Sequence, residues 1–499
     1  MKERRIMKTT DKNVRDAWED FDRALEFRRL NGDLARISEN ERFYLGDQWY
    51  DVDCQPNLPR PVFNLVRRLA DYIVSTVLGY DINMKLAIAD AGNDTKNLRA
   101  LAAKVGEYAA SDDFSSVVRN ALRDAVLSGD GFIYARYDFA PDGKGKICAS
   151  VIDSRDIFPS DFGNPDIQSQ DQILIRGTAS VGALRAEARF FGLPESRVAL
   201  IGPDDESTAV LRFEPVDPEM ATVNYLVRFY RAEDGNIAVE KSVRNCIVRS
   251  FVTKSDRYPI SRFSFMPVRG SFYGNTPLSE IIGNQRYVNK AFALEMKHMN
   301  DTAFSKVIYD KRLIPEWNSD VGQAIGVMSG GDVSGAVTTV GVGEMQDYYI
   351  DVIDRVISYT KEMIGATDTA LGDVDPTNTS AIMALREIAE VPLENLRAGL
   401  YKAIGDTLIN LASIVASTSL SGVGQGVVSA LVPEVSTGST RKYMPSVTVN
   451  TLNQLLSGGH ITVSEYLERL PDGIIPDRNK LINAHRGESK VKEESNDKR

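Results

Sequence analysis

The chain has 499 residues, enough for two to four domains and a large apolar core. Hydrophobic residues make up 43% and charged residues 26%, which excludes a disordered or fibrous chain. Lys and Arg total 59 against 69 Asp and Glu, and the net charge of -10 excludes a bulk, sequence-independent DNA binder, whose affinity comes from neutralising phosphates.

Cys54, Cys148 and Cys246 are far apart and odd in number, which fits reduced thiols in a cytosolic setting. No CxxC or CxxH spacing is present, so no zinc site is expected. The charged opening Met1-Lys2-Glu3-Arg4-Arg5 has no apolar run behind it, and no secretory signal is expected. The apolar stretch 403–420 is broken by Gly405, Asp406 and Asn410 and falls short of a membrane span.

The first third reads as helices. Residues 16–30 carry Ala17, Phe21 and Leu25 near helical spacing, and 39–49 bring Phe43, Tyr44 and Trp49 to a turn at Gly46-Asp47. Pro61 is a plausible helix starter, and Val62, Leu65, Val66, Leu69, Ile73 and Val77 keep one face apolar until Gly79. Two further helices cover 94–110 and 114–127, closed by Ser128-Gly129-Asp130-Gly131. The period then changes to that of strands at 132–138 and 147–152, with Pro141-Asp142-Gly143 as the turn and 153–159 as a loop. More strands are expected at 172–177, 223–231, 237–243 and 245–252, with a short helix at 181–191, giving a mixed, mainly antiparallel block.

From Gly270 the pattern becomes a strut, a knob, a second strut and a loop. Thr276 is the expected N-cap with Pro277 at the first helical position, and Leu278, Ile281, Ile282, Val288, Phe292 and Met296 mark the apolar side. A Gly-rich, strand-containing insert follows. The second strut (345–364) has Met345, Tyr348, Tyr349, Val352, Val356, Met363 and Ile364 as buried candidates, and a polar row at Asp347, Asp351, Asp354, Ser358 and Glu362. After a polar loop, a long helix from Ser380 carries Ile382, Leu385, Ile388, Leu393, Leu396, Leu400, Ile404, Leu408, Leu411 and Val415, with a kink expected at Pro392. Residues 421–440 read as Gly- and Ser-rich loop and 442–449 as a strand, with short helices at 451–457, 462–470 and 476–485.

Signals for chemistry are weak. Gly143-Lys144 and Gly145-Lys146 lack the spacing and the Ser or Thr of a phosphate-binding loop. His298, His460 and His485 form no HExxH or HxH pair; His298 reads as a charge at a helix end. Asp373-Val374-Asp375-Pro376-Thr377-Asn378 resembles half of a calcium loop without its Gly and terminal Glu, and reads instead as a functional loop. No catalytic residue, metal or cofactor is expected.

These residues, in this order, resemble the portal proteins of tailed double-stranded DNA bacteriophages. The resemblance is carried by Phe43-Tyr44-Leu45-Gly46-Asp47-Gln48-Trp49, Arg60-Pro61-Val62-Phe63-Asn64-Leu65-Val66, Ser128-Gly129-Asp130-Gly131-Phe132, and Pro267-Val268 through Gly274-Asn275-Thr276-Pro277-Leu278 with Gln285 and Asn289. It implies an α+β, mainly helical chain with wing, stem, clip and crown and a long kinked helix. The implied division is a wing at 1–269, stem helices at 270–301 and 344–365 and a clip at 302–343. A tunnel loop at 366–379, the long kinked helix at 380–420 in the wing, a crown at 421–486 and a disordered tail at 487–499 complete it.

The resemblance further implies a homo-oligomeric ring, usually of twelve copies, at one capsid vertex of the virion. The chain would be made in the host cytoplasm and would have no membrane role. Double-stranded DNA would pass through the ring non-specifically during packaging and ejection. The terminase large subunit would dock first and head-completion adaptor proteins afterwards, with capsid and scaffolding proteins around the ring. Thr367, Asp368, Thr369, Thr377 and Asn378 are the candidate DNA-facing loop residues. Asp347, Asp351, Asp354 and Glu362 are the candidate channel lining, where repeated carboxylates would repel phosphates and let a duplex slide. The loop has no Lys or Arg, a departure from a strongly phosphate-gripping segment. Two other readings stay open at this point: another structural head or connector protein without a channel, and a hydrolase built around Asp375.

Overall fold

Helix α1 (Asp11–Leu30) lays Val14, Trp18, Phe21 and Leu25 against an antiparallel sheet, burying its apolar stripe on Phe158, Leu174 and Leu226. The structure, a computed structural model, describes residues 11–53, 58–89, 95–139, 145–203, 218–303, 306–316, 327–328, 335–340, 348–366, 390–417, 425–441 and 445–470. The chain is mixed α+β, with more helix than strand among these residues.

After α1 come α2 (Asp33–Leu45), α3 (Leu65–Val77), β1 (Tyr80–Ile88), α4 (Thr95–Ala109) and α5 (Asp112–Ser128). Helix α2 stops at Gly46, whose φ of 93° is a left-handed cap. Helix α3 starts later than Pro61: Asn64 is the N-cap, its Oδ1 accepting from the Arg67 N–H at 3.0 Å. The side-chain acceptor, which proline lacks, decides the start.

Strands β2 (Asp130–Phe139) and β3 (Gly145–Ile152) form the expected antiparallel pair, and β9 (Ile260–Ser264) adds to the other edge of β2. A five-stranded antiparallel sheet runs β4 (Ile157–Pro159), β5 (Gln172–Ser180), β6 (Thr222–Arg231), β7 (Ile237–Val243) and β8 (Cys246–Val252) in chain order. Helices α6 (Val181–Phe190) and α7 (Glu195–Val198) pack Leu184, Ala188 and Val198 against Val223, Val243 and Val248. The same face, further along the strands, buries Ile173, Ile175, Phe229 and Val239 against Phe132, Ile152, Ile260 and Phe272, and α1 covers the opposite face at Leu174 and Leu226.

The rest of the chain is α8 (Pro277–Ala303), β10 (Lys306–Tyr309), β11 (Val337–Val340), α9 (Tyr348–Met363), α10 (Glu394–Ser417), β12 (Leu431–Arg441), α11 (Pro445–Ser457) and α12 (Val463–Arg469). Helix α10 is central. Leu396, Leu400, Ile404, Leu408, Leu411 and Val415 are all buried, in one cluster with α3, α4, α5, β2 and the first turns of α8. Pro392 lies in a 3-10 turn, Val391–Leu393, immediately before α10, so the chain changes helix type there. Residues 380–389 of the expected long helix lie outside the described residues.

Two expectations near the C-terminus are corrected. Residues 431–441, read as loop, form a strand antiparallel to β1, with Met84 opposite Val435 and Ile88 opposite Leu431. Leu431 and Val428 belong to the α10 cluster, so this stretch packs with the main core. Residues 445–449, read as part of a strand, open helix α11. Strands β1, β4 and β9 were not foreseen.

Candidate functional site

The strut–knob–strut order has a physical counterpart. Helix α8 has 27 residues, about 40 Å of rod. Strands β10 and β11 pair antiparallel from Lys306↔Val340 to Tyr309↔Val337, and α9 returns alongside α8. Asn284 Nδ2 donates to Thr360 Oγ1 at 3.0 Å, and Ile364 and Ala366 share one cluster with Leu278, Ile281 and Ile282. The two helices therefore run antiparallel.

The N-terminal half of α8 is rooted in polar contacts. Thr276 caps it: its Oγ1 accepts from the Leu278 N–H at 3.3 Å and donates to the Val126 carbonyl. Gly129 (φ 104°) and Gly274 touch backbone to backbone, and a Cβ on Gly129 would sit 2.6 Å from the Gly274 oxygen. Asp130, fully buried, accepts from the Gly274 N–H at 2.7 Å and from Arg262 Nη2 at 2.7 Å. Burial pushes its pKa up, against the opposing pull of Arg262 and these hydrogen bonds. From α2, Arg36 donates to the Ser128 carbonyl and to Asn275 Oδ1, each at 3.1 Å. Asn40 Nδ2 donates to the Leu127 carbonyl at 2.7 Å and to Ser279 Oγ at 2.9 Å. The Ser128–Phe132 and Gly274–Leu278 motifs thus meet in one joint.

Two and three turns further on, Gln285 and Asn289 form a buried clamp. Gln285 Oε1 accepts from the Leu65 N–H at 2.8 Å, and its Nε2 donates to the Phe63 carbonyl at 2.8 Å and to Asn289 Oδ1 at 2.9 Å. Asn289 Nδ2 donates to Gln48 Oε1 at 2.6 Å. The segment around Pro61 is held by this helix, with Phe63 against Phe292 at 4.2 Å between ring centroids. On the surface Arg286 bridges Glu39 and Asp51 at 2.8 and 2.6 Å.

The far half of the pair is different. Leu294 and Met299 on α8 and Tyr349 and Ile350 on α9 are exposed there, and nearer the base Tyr287, Tyr359 and Met363 are exposed too, Tyr359 at 61%. Asp351, Asp354 and Glu362 are exposed on α9, the last three described members of the candidate lining. Asp347 lies outside the described residues, as do Thr367, Asp368, Thr369, Thr377 and Asn378. The buried side of α9 is made by Ile353, Thr360 and Ile364. Tyr349 and Met363, expected inside, are 56% exposed each, because α8 covers only the 353–360–364 side.

Sequence reasoning pointed to Gln48, Gln285 and Asn289 by motif without the clamp they form, and missed Arg36, Asn40 and Arg262 at the glycine joint. The acidic residue between two glycines at Gly129-Asp130-Gly131 was the available signal for a buried, backbone-binding carboxylate. A second unforeseen group is Arg28, fully buried, with Nη1 donating to the Ser154 carbonyl at 2.5 Å and the guanidinium 3.8 Å from the Tyr273 ring centroid. Among the described residues no group of three His, Cys, Asp or Glu could hold a metal ion. No described helix is long and apolar enough to cross a membrane.

No known protein-family model matches this chain, and no characterised protein matches it in sequence.

Proposed function

We propose that the chain is a portal-type subunit of a tailed bacteriophage. Copies close into a ring at one capsid vertex, and double-stranded DNA moves through the central channel during packaging and ejection. The stem is the α8–α9 pair, the clip lies at the β10–β11 end, and the wing is the α/β body. The clip would dock the terminase large subunit and later the adaptor proteins. The role is mechanical: the ring supplies a wall, and the energy comes from the motor.

The observation that carries this reading is the asymmetry of the helix pair. Its near half is fixed to the body by buried hydrogen bonds, while its far half exposes Leu294, Met299, Tyr349 and Ile350, and Tyr287, Tyr359 and Met363 continue the exposed apolar surface toward the base. Large apolar side chains in such number on one projecting element mark a surface built to be covered by protein. Head-to-tail contacts that rotate back on themselves cover it in every copy and leave a bore. Carboxylates at Asp347, Asp351, Asp354 and Glu362, repeated around that bore, would repel phosphates rather than hold them.

The test is assembly and passage. Purified protein should run at hundreds of kilodaltons against the 55.1 kDa monomer and show a central hole in negative-stain images. Changing Asp347, Asp351 and Glu362 together to Lys should leave the ring intact and slow DNA packaging more at low salt than at high salt. A chain that stays monomeric overturns the ring; equal slowing at both salts overturns the electrostatic lining.

A further inference from the structure

Within α8, Lys290 and Leu294 lie on the side turned away from the body, both exposed. Lys290, Asp351 and Asp354 make no ion pair among the described residues. Thr360 and Ile353 mark the side of α9 that meets α8; at about 100° per residue Asp351 falls on the side turned away, and Asp354 and Ile350 fall together on an exposed flank beside the α8 contact.

The antiparallel register fixes which residues stand at equal height. Asn284 is level with Thr360. Six residues up α8 is Lys290, and six residues back along α9 is Asp354. Ten residues in the same directions give Leu294 and Ile350. A cation is therefore level with an anion, and an apolar side chain is level with another apolar side chain, on two faces that nothing described covers.

We infer that the outward face of α8 receives the exposed flank of α9 from a second copy of this chain, with Lys290 against Asp354 and Leu294 against Ile350 of the neighbour. This rests on the ring reading. Cyclic symmetry about an axis along the helices keeps every residue at the same height in each copy, so residues that are level within one chain meet between neighbours. The match of sign and polarity at both levels is the charge complementarity that selects a second copy as the occupant. The consequence for the lining is specific: Asp354 serves the joint between copies, and Asp351 and Glu362 remain for the bore.

The test is a charge-swap cycle on the full chain. Lys290→Glu and Asp354→Lys should each raise the concentration needed for assembly by roughly tenfold or more, since like charges then face each other. The double variant Lys290→Glu/Asp354→Lys should return it to within about threefold of wild type, a recovery that misfolding cannot produce. Light scattering after size exclusion reads the mass, and circular dichroism confirms folding of each variant. Single variants that assemble like wild type, or a double variant that does not recover, overturn the pairing while leaving the ring standing. A wild-type chain that never assembles overturns both.

Discussion

Asp124 gives the sharpest quantitative test of the body to which the helix pair is fixed. It sits in the last turn of α5, its backbone oxygen accepting from Ser128 Oγ at 2.7 Å, just before the glycine joint. Burial, then repulsion from Asp153, pushes its pKa from 3.8 up to about 7, against the pull of Arg155 and Arg123. A raised pKa means that the fold favours the neutral carboxyl. That contribution is complete below the unfolded value near 3.8 and is lost as pH rises through about 7. Three pH units correspond to about 4 kcal/mol, of which about 2 to 3 kcal/mol falls between pH 5 and pH 8. Asp124→Asn keeps the shape and removes the ionisation. The variant should therefore gain on wild type by about 2 to 3 kcal/mol as pH goes from 5 to 8. Urea unfolding of both proteins at the two pH values, followed by tryptophan fluorescence, measures the difference. A stability gap between the proteins that is the same at pH 5 and pH 8 would refute the buried, neutral carboxyl.

Other changes probe the root and the free faces. Gly129→Ala forces a Cβ to within 2.6 Å of the Gly274 oxygen at a φ of 104° and should cost about 3 kcal/mol, read by thermal unfolding. Gln285→Ala removes the acceptor for the Leu65 N–H and the donor to Phe63, and should cost about 3 kcal/mol while speeding amide exchange at Phe63 to Val66. Gly283→Ala should stabilise α8 by about 1 kcal/mol in a dissociated chain, because a Cβ there meets nothing within 4 Å. Loss of stability in that variant would show that the position is closely covered within one chain.

Much of the architecture is legible in the sequence where one physical signal dominates. Helix α10 reads directly, because Leu396 to Val415 recur at helical spacing and every one is buried. Strand β12 does not, because its sequence mixes Pro433, Gly438, Ser and Thr residues. A two-stranded ladder leaves each strand an open edge, which tolerates a proline that a central strand would reject. What defines it is tertiary: it lies opposite β1, and Pro433 sits against α10 at Gly405. Helix α9 is the instructive failure. Tyr349, Ile350, Val352, Ile353, Val356, Ile357, Tyr359 and Met363 spread apolar groups around most of its circumference. Periodicity alone could not choose the side that meets α8. The motif Gln285–Asn289 was visible as a pattern, but its clamp on Gln48 and the Phe63–Leu65 segment needed residues more than 200 positions away.

The fixed root and free tip of α8 make it a lever. The glycine joint and the Gln285–Asn289 clamp hold the base, and the arm beyond Asn289 is about 20 Å long. A tilt of only 5° there would swing the far end of α8 by roughly 2 Å, enough to make or break a hydrogen-bonded contact. Strain arriving at the joint would thus be felt at the opposite end; in the proposed ring, that would let whatever grips the tip sense the state of the body.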